Sequence, residues 1–183
     1  MQFQYYWHQL CDLKKCKEIT DSLEKDGVFS ENRDSPADGV IKSSDVSTIS
    51  WKLTKGYLSD VEDFVNHINQ GFFGFDIYRF NNHNMVLYNR YTEAKKAEYG
   101  WHYDGTLSTV LDYKLTAIVN LSDEAYEGGK FELFLTGGPK EIVEISTPGN
   151  IIIFPSWLYH RVTPVTAGVR KSLTLFFIGP SVR

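Results

Sequence analysis

From about residue 75 onward the chain stops reading as helix and breaks into short β-like runs. Such runs fall near 75–80, 86–92, 100–103, 114–121, 130–136, 141–145, 150–154, 159–165 and 171–178. The turn-forming stretches NNHN, EGG, TGGP, TPGN and TAG punctuate them. Many short strands with no helices between them predict an all-β barrel or sandwich. Before them the pattern is helical. Residues 12–25 repeat Leu13, Cys16, Ile19 and Leu23 at three- and four-residue steps, with Asp12 placed to cap. A second helix is predicted over 59–71, with Ser59 as cap, Glu62 completing a capping box and Gly71 as stop. Its apolar stripe is Val61, Phe64, Val65 and Ile68. Between the helices, residues 26–45 form a long polar loop, which we expect to act as a substrate lid. The expected organisation is a helical support and lid region over 1–85 and a β module over 86–183.

Composition narrows the function classes. The 183 residues carry a net charge of −4, so nothing attracts a phosphate backbone and no nucleic-acid partner is expected. No stretch approaches 18 apolar residues, the N-terminus lacks a signal-peptide pattern and the C-terminus lacks a lipidation signal, so no membrane partner is expected either. The two cysteines, Cys11 and Cys16, are too few for a disulfide framework and read as reduced thiols, which suits a cytoplasmic location.

The stretch GWHYDG places His102 and Asp104 two residues apart, on the same face of a strand, with Tyr103 turned away. Alone, the pair is weak evidence for a metal site. His8, His67 and His83 read as surface or packed histidines, but His160 opens a strand just after the apolar run Ile151–Phe154. Two histidines and one carboxylate make the facial triad of non-haem Fe(II) oxygenases, which leaves three positions open; a structural zinc site would need a fourth ligand. Arg170 lies ten residues after His160, at the head of the next strand. Its planar fork suits the far carboxylate of 2-oxoglutarate. On that strand Arg170, Ser172, Thr174 and Phe176 share one face, and Ser172 or Thr174 is placed to add a hydroxyl.

The segments NRY…YGWHYDG, LTAIVNLSD…YEGGKFELF and TPGNIIIFPSWLYHRVTPVTAGVRKSLTLFF resemble the Fe(II)/2-oxoglutarate-dependent dioxygenases, in particular the prolyl 4-hydroxylase-like group with its PKHD-type members. The resemblance spans about residues 86–183. It implies a double-stranded β-helix (jelly-roll, cupin-like) behind N-terminal helices, so an α+β chain with an all-β core. It implies that His102, Asp104 and His160 hold the iron and that Arg170 holds 2-oxoglutarate. It also implies a cosubstrate contact for the tyrosine of the RY motif, here Tyr91, with Tyr88 and Tyr99 as competitors. O₂ and ascorbate join the implied small molecules. The implied reaction is hydroxylation of an unactivated C–H bond with release of succinate and CO₂. A prolyl residue of a peptide or protein is the first substrate expectation; a free amino acid or other small molecule is the second. Position 120, where some prolyl hydroxylases carry a tyrosine near the cosubstrate, is Asn120 here, a departure from the pattern.

Gly128 and Gly129 read as a tight turn with a bulge. Trp101 and Trp157 flank the ligand positions and either wall the pocket or pack the barrel. Tyr5, Tyr6 and Trp7 read as an aromatic cluster that docks the N-terminus. Of other function classes, a metallo-β-lactamase-like hydrolase would want a histidine where Leu107 stands. A barrel that binds metal and 2-oxoglutarate without turnover has the same ligands and is the remaining alternative.

Overall fold

The computed structural model describes residues 4–26, 30–31, 42–58, 60–81, 84–105 and 111–181. In chain order the elements are β1 (Tyr6–Gln9), α1 (Leu13–Asp26), β2 (Ser30–Glu31), β3 (Asp45–Ser50), α2 (Trp51–Thr54), α3 (Val61–Ile68), β4 (Met85–Thr92), β5 (Tyr99–His102) and β6 (Leu111–Asn120). There follow β7 (Glu127–Gly128), β8 (Phe131–Leu135), β9 (Gly138–Glu141), β10 (Asn150–Pro155), β11 (His160–Val162), β12 (Val165–Ala167) and β13 (Val169–Pro180). A seven-stranded sheet runs β1-β10-β6-β13-β4-β3-β2, a four-stranded sheet runs β5-β11-β8-β9, and β12 pairs with β7. The fold is a double-stranded β-helix with supporting helices.

The alternation of the strands explains the layering. In β10, Ile151 and Ile153 join a core with Cys16, Ile19, Val61 and Val65 of the helices, while Ile152 and Phe154 join a second core with Phe131, Leu133 and Val162 of the small sheet. Burial on both faces is why this strand reads as an unbroken apolar run. In β13, Leu173, Leu175 and Phe177 face the helices. Lys171 on that side pairs with Asp123 at 2.7 Å and Glu24 at 3.4 Å. The opposite face, starting at Arg170, lines the barrel interior. The N-terminal segment is therefore more than helical support: β1 pairs with β10 and β3 with β4, extending the large sheet at both edges. Tyr6 packs against Phe64 and Phe72, which docks the N-terminus as expected, whereas Trp7 is exposed.

The expected helix α1 forms with Asp12 capping it, its carboxylate accepting the Lys15 N–H at 2.8 Å. Other expectations need correction. Helix α3 spans Val61–Ile68, passes into a π-helical turn over Asn69–Phe73, and stops at Gly74 (φ 76), not at Gly71. Ser59 lies outside the described residues, and the expected capping box with it. The buried Glu62 carboxylate accepts the Phe80 N–H at 2.7 Å. Residues 75–80 are not a strand. Their backbone is held by side chains: Asn69 bonds both the N–H (3.0 Å) and the carbonyl (2.8 Å) of Phe75, and Glu62 holds Phe80. Tyr78 reaches a strand, its N–H donating to the Ile178 carbonyl at 2.7 Å. The run at 141–145 splits into β9 and a 3₁₀ turn, because Ile142 and Ile145, three apart, both enter the inner core. The run at 159–165 breaks at Pro164, whose carbonyl accepts the Gly129 N–H at 3.0 Å. Of the expected lid over 26–45, residues 27–29 and 32–41 lie outside the described residues.

Glu62 makes a test of how 75–80 is fixed. Glu62→Ala leaves the Phe80 N–H without its acceptor and should cost about 1–3 kcal/mol in a urea unfolding titration. Glu62→Gln, which keeps an acceptor oxygen, should cost less.

Candidate metal and cosubstrate site

The site is built where the small sheet closes over the large one. His102 ends β5 and His160 begins β11, and the two are register partners. Their rings lie 4.1 Å apart, centroid to centroid. Asp104 follows β5 by two residues, and its N–H donates to the Ser156 carbonyl at 2.8 Å. The expected alternation holds: His102 and Asp104 turn inward, while Tyr103 is exposed.

Each imidazole is oriented by the backbone. His102 Nδ1 lies 2.8 Å from the Gly100 carbonyl, and His160 Nδ1 lies 2.8 Å from the Leu158 carbonyl. A carbonyl only accepts, so each Nδ1 carries the proton and each Nε2 keeps its lone pair. Those Nε2 atoms approach Asp104 at 3.6 Å (His102, to Oδ1) and 3.4 Å (His160, to Oδ2). Ligand atoms about 2.0–2.2 Å from a divalent ion and at right angles to each other lie about 3 Å apart. The three donors therefore fit one ion on one face. Burial lowers the His102 pKa to about 3, with the neighbouring His160 adding to the effect. Burial also lowers that of His160, against the pull of Asp104. Both rings are thus neutral near pH 7, as ligation requires.

Around the ligands, Thr116 donates to Asp104 Oδ2 at 2.8 Å and lies 3.0 Å from the Ser156 hydroxyl. The Tyr99 ring stacks on His102 at 3.4 Å. Phe154 and Phe131 flank His160 at 4.9 and 5.7 Å. Thr116, not expected from the sequence, lies in the apolar-looking run LTAIVN with only its register to mark it.

A cavity of about 100 Å³ leads from the ligands to Arg170, with Ser172, Thr174 and Phe176 along one wall. These four share a face of β13, as the alternation predicts. Arg170 is buried at 2% exposure. Its Nη1 donates to Ser172 Oγ at 3.3 Å, and its Nη2 has no partner among the described residues. A buried guanidinium with an open donor fits a carboxylate. Tyr91 is the register partner of Arg170, is buried, and carries the guanidinium 5.3 Å from its ring centroid. Burial raises its pKa, so the phenol stays a hydrogen-bond donor. Of its competitors, Tyr99 also lines the cavity, but Tyr88 faces the helices and donates to Glu24 at 2.7 Å.

Asn120 does not line the cavity. Its amide donates to the Ile145 and Ser146 carbonyls at 2.9 and 3.0 Å and its oxygen accepts the Ser122 N–H, so it pins the 3₁₀ turn. Neither tryptophan walls the cavity: Trp101 stacks outside the barrel with Tyr159 and Arg161, and Trp157 packs edge-on against Phe75. Gly128 and Gly129 form the expected turn (φ 72 and 57). At Gly129 a Cβ would come within 2.9 Å of Arg170 Cδ and Val165 Cγ2. Gly129→Ala should therefore displace the Arg170 side chain and, at this positive φ, lower the melting temperature. A thermal melt followed by circular dichroism checks it.

The family described as the 2OG-Fe(II) oxygenase superfamily matches residues 86–178, more than half of the chain. A PKHD-type hydroxylase of Xylella fastidiosa is 35% identical over 108 residues, covering 52% of this chain and 44% of that protein. A PKHD-type hydroxylase of Shewanella oneidensis is 35% identical over 91 residues, covering 47% and 39%. The chain spans less than half the length of these curated relatives. Among solved structures, a Pseudomonas putida prolyl-4-hydroxylase superposes with a TM-score of 0.75 at 18% identity, over 97% of this chain and 94% of that one. A Trichoplax adhaerens prolyl hydroxylase, in complex with a hypoxia inducible factor peptide fragment, gives 0.74 at 17% identity, over 95% and 83%. At these identities the likeness is one of fold.

Proposed function

Because the chain belongs to the 2OG-Fe(II) oxygenase superfamily, beside its prolyl 4-hydroxylase-like members, we propose that it hydroxylates an unactivated C–H bond, converting 2-oxoglutarate to succinate and CO₂. One observation carries this reading: the candidate ligands His102, Asp104 and His160 share one small cavity with a buried Arg170 whose Nη2 has no partner among the described residues. A non-catalytic binding barrel would have these groups too. Turnover separates the two.

The three ligands would hold Fe(II), which supplies the oxidising chemistry toward O₂ and 2-oxoglutarate. Arg170 would take the far carboxylate of 2-oxoglutarate, its Nη2 donating, with the Ser172 hydroxyl beside it. Tyr91 would donate its phenol proton to the same cosubstrate. Ile118, Leu87, Phe131 and Phe176 line the cavity and keep it dry. At about 100 Å³ it is far below the roughly 300–1,000 Å³ of pockets that hold drug-sized ligands. Only the reacting end of a larger substrate would enter, which suits a prolyl ring presented by a peptide or protein. We include ascorbate as reductant in this proposal, and a cytoplasmic setting on the cysteine count alone.

The test is incubation with Fe(II), 2-oxoglutarate, O₂ and a panel of proline-containing peptides, following succinate and a product heavier by one oxygen atom. Succinate together with a hydroxylated prolyl product is the expected outcome. Complete absence of succinate, uncoupled turnover included, would sink the oxygenase reading.

A further inference from the structure

Both cysteines of the chain lie where the start of α1 meets the large sheet. Cys11 comes just before the cap residue Asp12, and Cys16 sits in the first turn of the helix. Cys16 is buried and Cys11 partly buried, and both are free thiols. Their sulfurs are in contact at 3.7 Å. The contact is imposed by the backbone on either side. The Leu10 and Cys11 N–H groups both donate to the Gly149 carbonyl, at 2.8 and 3.2 Å, which clamps Cys11 to the turn before β10. A Cβ at Gly149 would come within 1.9 Å of the Cys11 carbonyl oxygen, so that turn leaves Cys11 no room to retreat. The Cys16 N–H donates to the Asp12 carbonyl at 3.0 Å, and the Cys16 sulfur lies 3.7 Å from the Asn120 carbonyl of β6. Neither cysteine lines the cavity of the metal ligands.

The two thiols are not equivalent. The hydrogen bond from Cys16 holds the Cys11 pKa below that of an ordinary thiol, against partial burial and the charge of Asp12, and Lys15 helps. The same contact, together with burial, pushes the Cys16 pKa up. Cys11 is the thiolate-forming, more accessible partner, and Cys16 is the enclosed one that keeps its proton. An attacking and a resolving thiol divide their work in this way.

From the enforced contact of these two sulfurs we infer that Cys11 and Cys16 form a reversible dithiol–disulfide couple, oxidised by hydrogen peroxide. The Cys11 thiolate attacks one peroxide oxygen. The O–O bond breaks, and the departing hydroxide takes up the proton that Cys11 gave up, forming water. Cys11 is left as a sulfenic acid. The Cys16 sulfur then attacks the Cys11 sulfur, the S–O bond breaks, and the Cys16 proton leaves with the hydroxyl as a second water. The two thiols lose two electrons, which reduce one peroxide to two waters. The sequence holds no third cysteine to compete. The ring closes over few residues, so it restrains the unfolded chain little. That suits a couple that external dithiols reduce again more than a structural cross-link. The inference does not rest on the oxygenase reading.

The test uses the full chain with 2-oxoglutarate and Mn(II), because Fe(II) would turn peroxide into radicals at the ligands. The reduced protein is treated with hydrogen peroxide, quenched, and unfolded in urea for thiol titration and mass spectrometry. Both thiols should be lost, the mass of the single chain should fall by two hydrogen atoms, and proteolysis should yield a peptide cross-linked between Cys11 and Cys16. Dithiothreitol should restore both thiols. Cys16→Ser should stop at a Cys11 sulfenic acid, which dimedone traps. Cys11→Ser should slow oxidation of the remaining thiol by roughly tenfold or more. A disulfide between two chains, a Cys11 sulfinic acid beside a free Cys16, or survival of both thiols under peroxide that oxidises glutathione in the same tube would overturn the inference. The unaltered chain decides it even if a serine variant fails to fold.

Discussion

Asp104→Asn should yield a folded protein that no longer retains a divalent metal ion and makes no succinate above background. The substitution keeps the side chain's size and an oxygen to accept from Thr116, which donates at 2.8 Å. It removes the one anionic donor among the three ligand residues. A neutral amide is a far poorer ligand for a hard divalent ion than a carboxylate, and the two imidazoles alone leave the ion held by two bonds. The loss in Mn(II) or Co(II) affinity, read by calorimetry, should exceed the roughly 10–100-fold that loss of an outer-shell partner costs. Thr116→Val supplies that smaller comparison, since it deletes only the hydroxyl that orients Asp104. A circular dichroism spectrum like that of the unaltered chain excludes unfolding as the cause. Wild-type affinity in Asp104→Asn would mean that the ion sits elsewhere and would remove the basis of the proposed function.

Arg170→Leu should raise the 2-oxoglutarate requirement by roughly 30- to 5,000-fold, the equivalent of about 2–5 kcal/mol for truncating a buried charge-assisted pair. The same change should make the protein without 2-oxoglutarate more stable, not less. Arg170 is 2% exposed, and its Nη2 finds no partner among the described residues, so the empty protein bears the cost of a buried, incompletely bonded cation. Thermal melts with and without 2-oxoglutarate separate the two effects. The ligand should raise the melting temperature of the original chain clearly and that of Arg170→Leu hardly at all. Arg170→Lys keeps the charge but loses the bidentate fork and should fall between them. If Arg170→Leu binds 2-oxoglutarate as the original does, the far carboxylate lies elsewhere.

Where local periodicity carried the information, the sequence was readable. The two-residue repeat placed His102 with Asp104 and Arg170 with Ser172, Thr174 and Phe176, because a strand turns alternate residues to one face whatever its neighbours are. The helix over Leu13–Asp26 was equally legible from its stripe and cap. Legibility failed where backbone bonds are satisfied by distant side chains. Nothing local in 75–80 says that Asn69 and Glu62 will take up its N–H and carbonyl groups, so a strand-like pattern became a side-chain-braced extended segment. The run Ile142–Ile145 fits a strand or a 3₁₀ turn until a core requires both isoleucines on one side.

The candidate site divides along the same line. The sequence by itself determined the residue types and their faces: two histidines and an arginine on strands that turn them inward, and a carboxylate two residues past the end of one of those strands. Only the tertiary structure decided which groups meet. It set His160 opposite His102 across an antiparallel pair and put Tyr91 beside Arg170 while turning Tyr88 to the helices. It assigned Asn120 to a turn and brought Lys42 to the cavity from the N-terminal segment. The physical reason is that facing is fixed by the geometry of one strand, whereas meeting is fixed by sheet register and closure, which contacts distant in sequence determine.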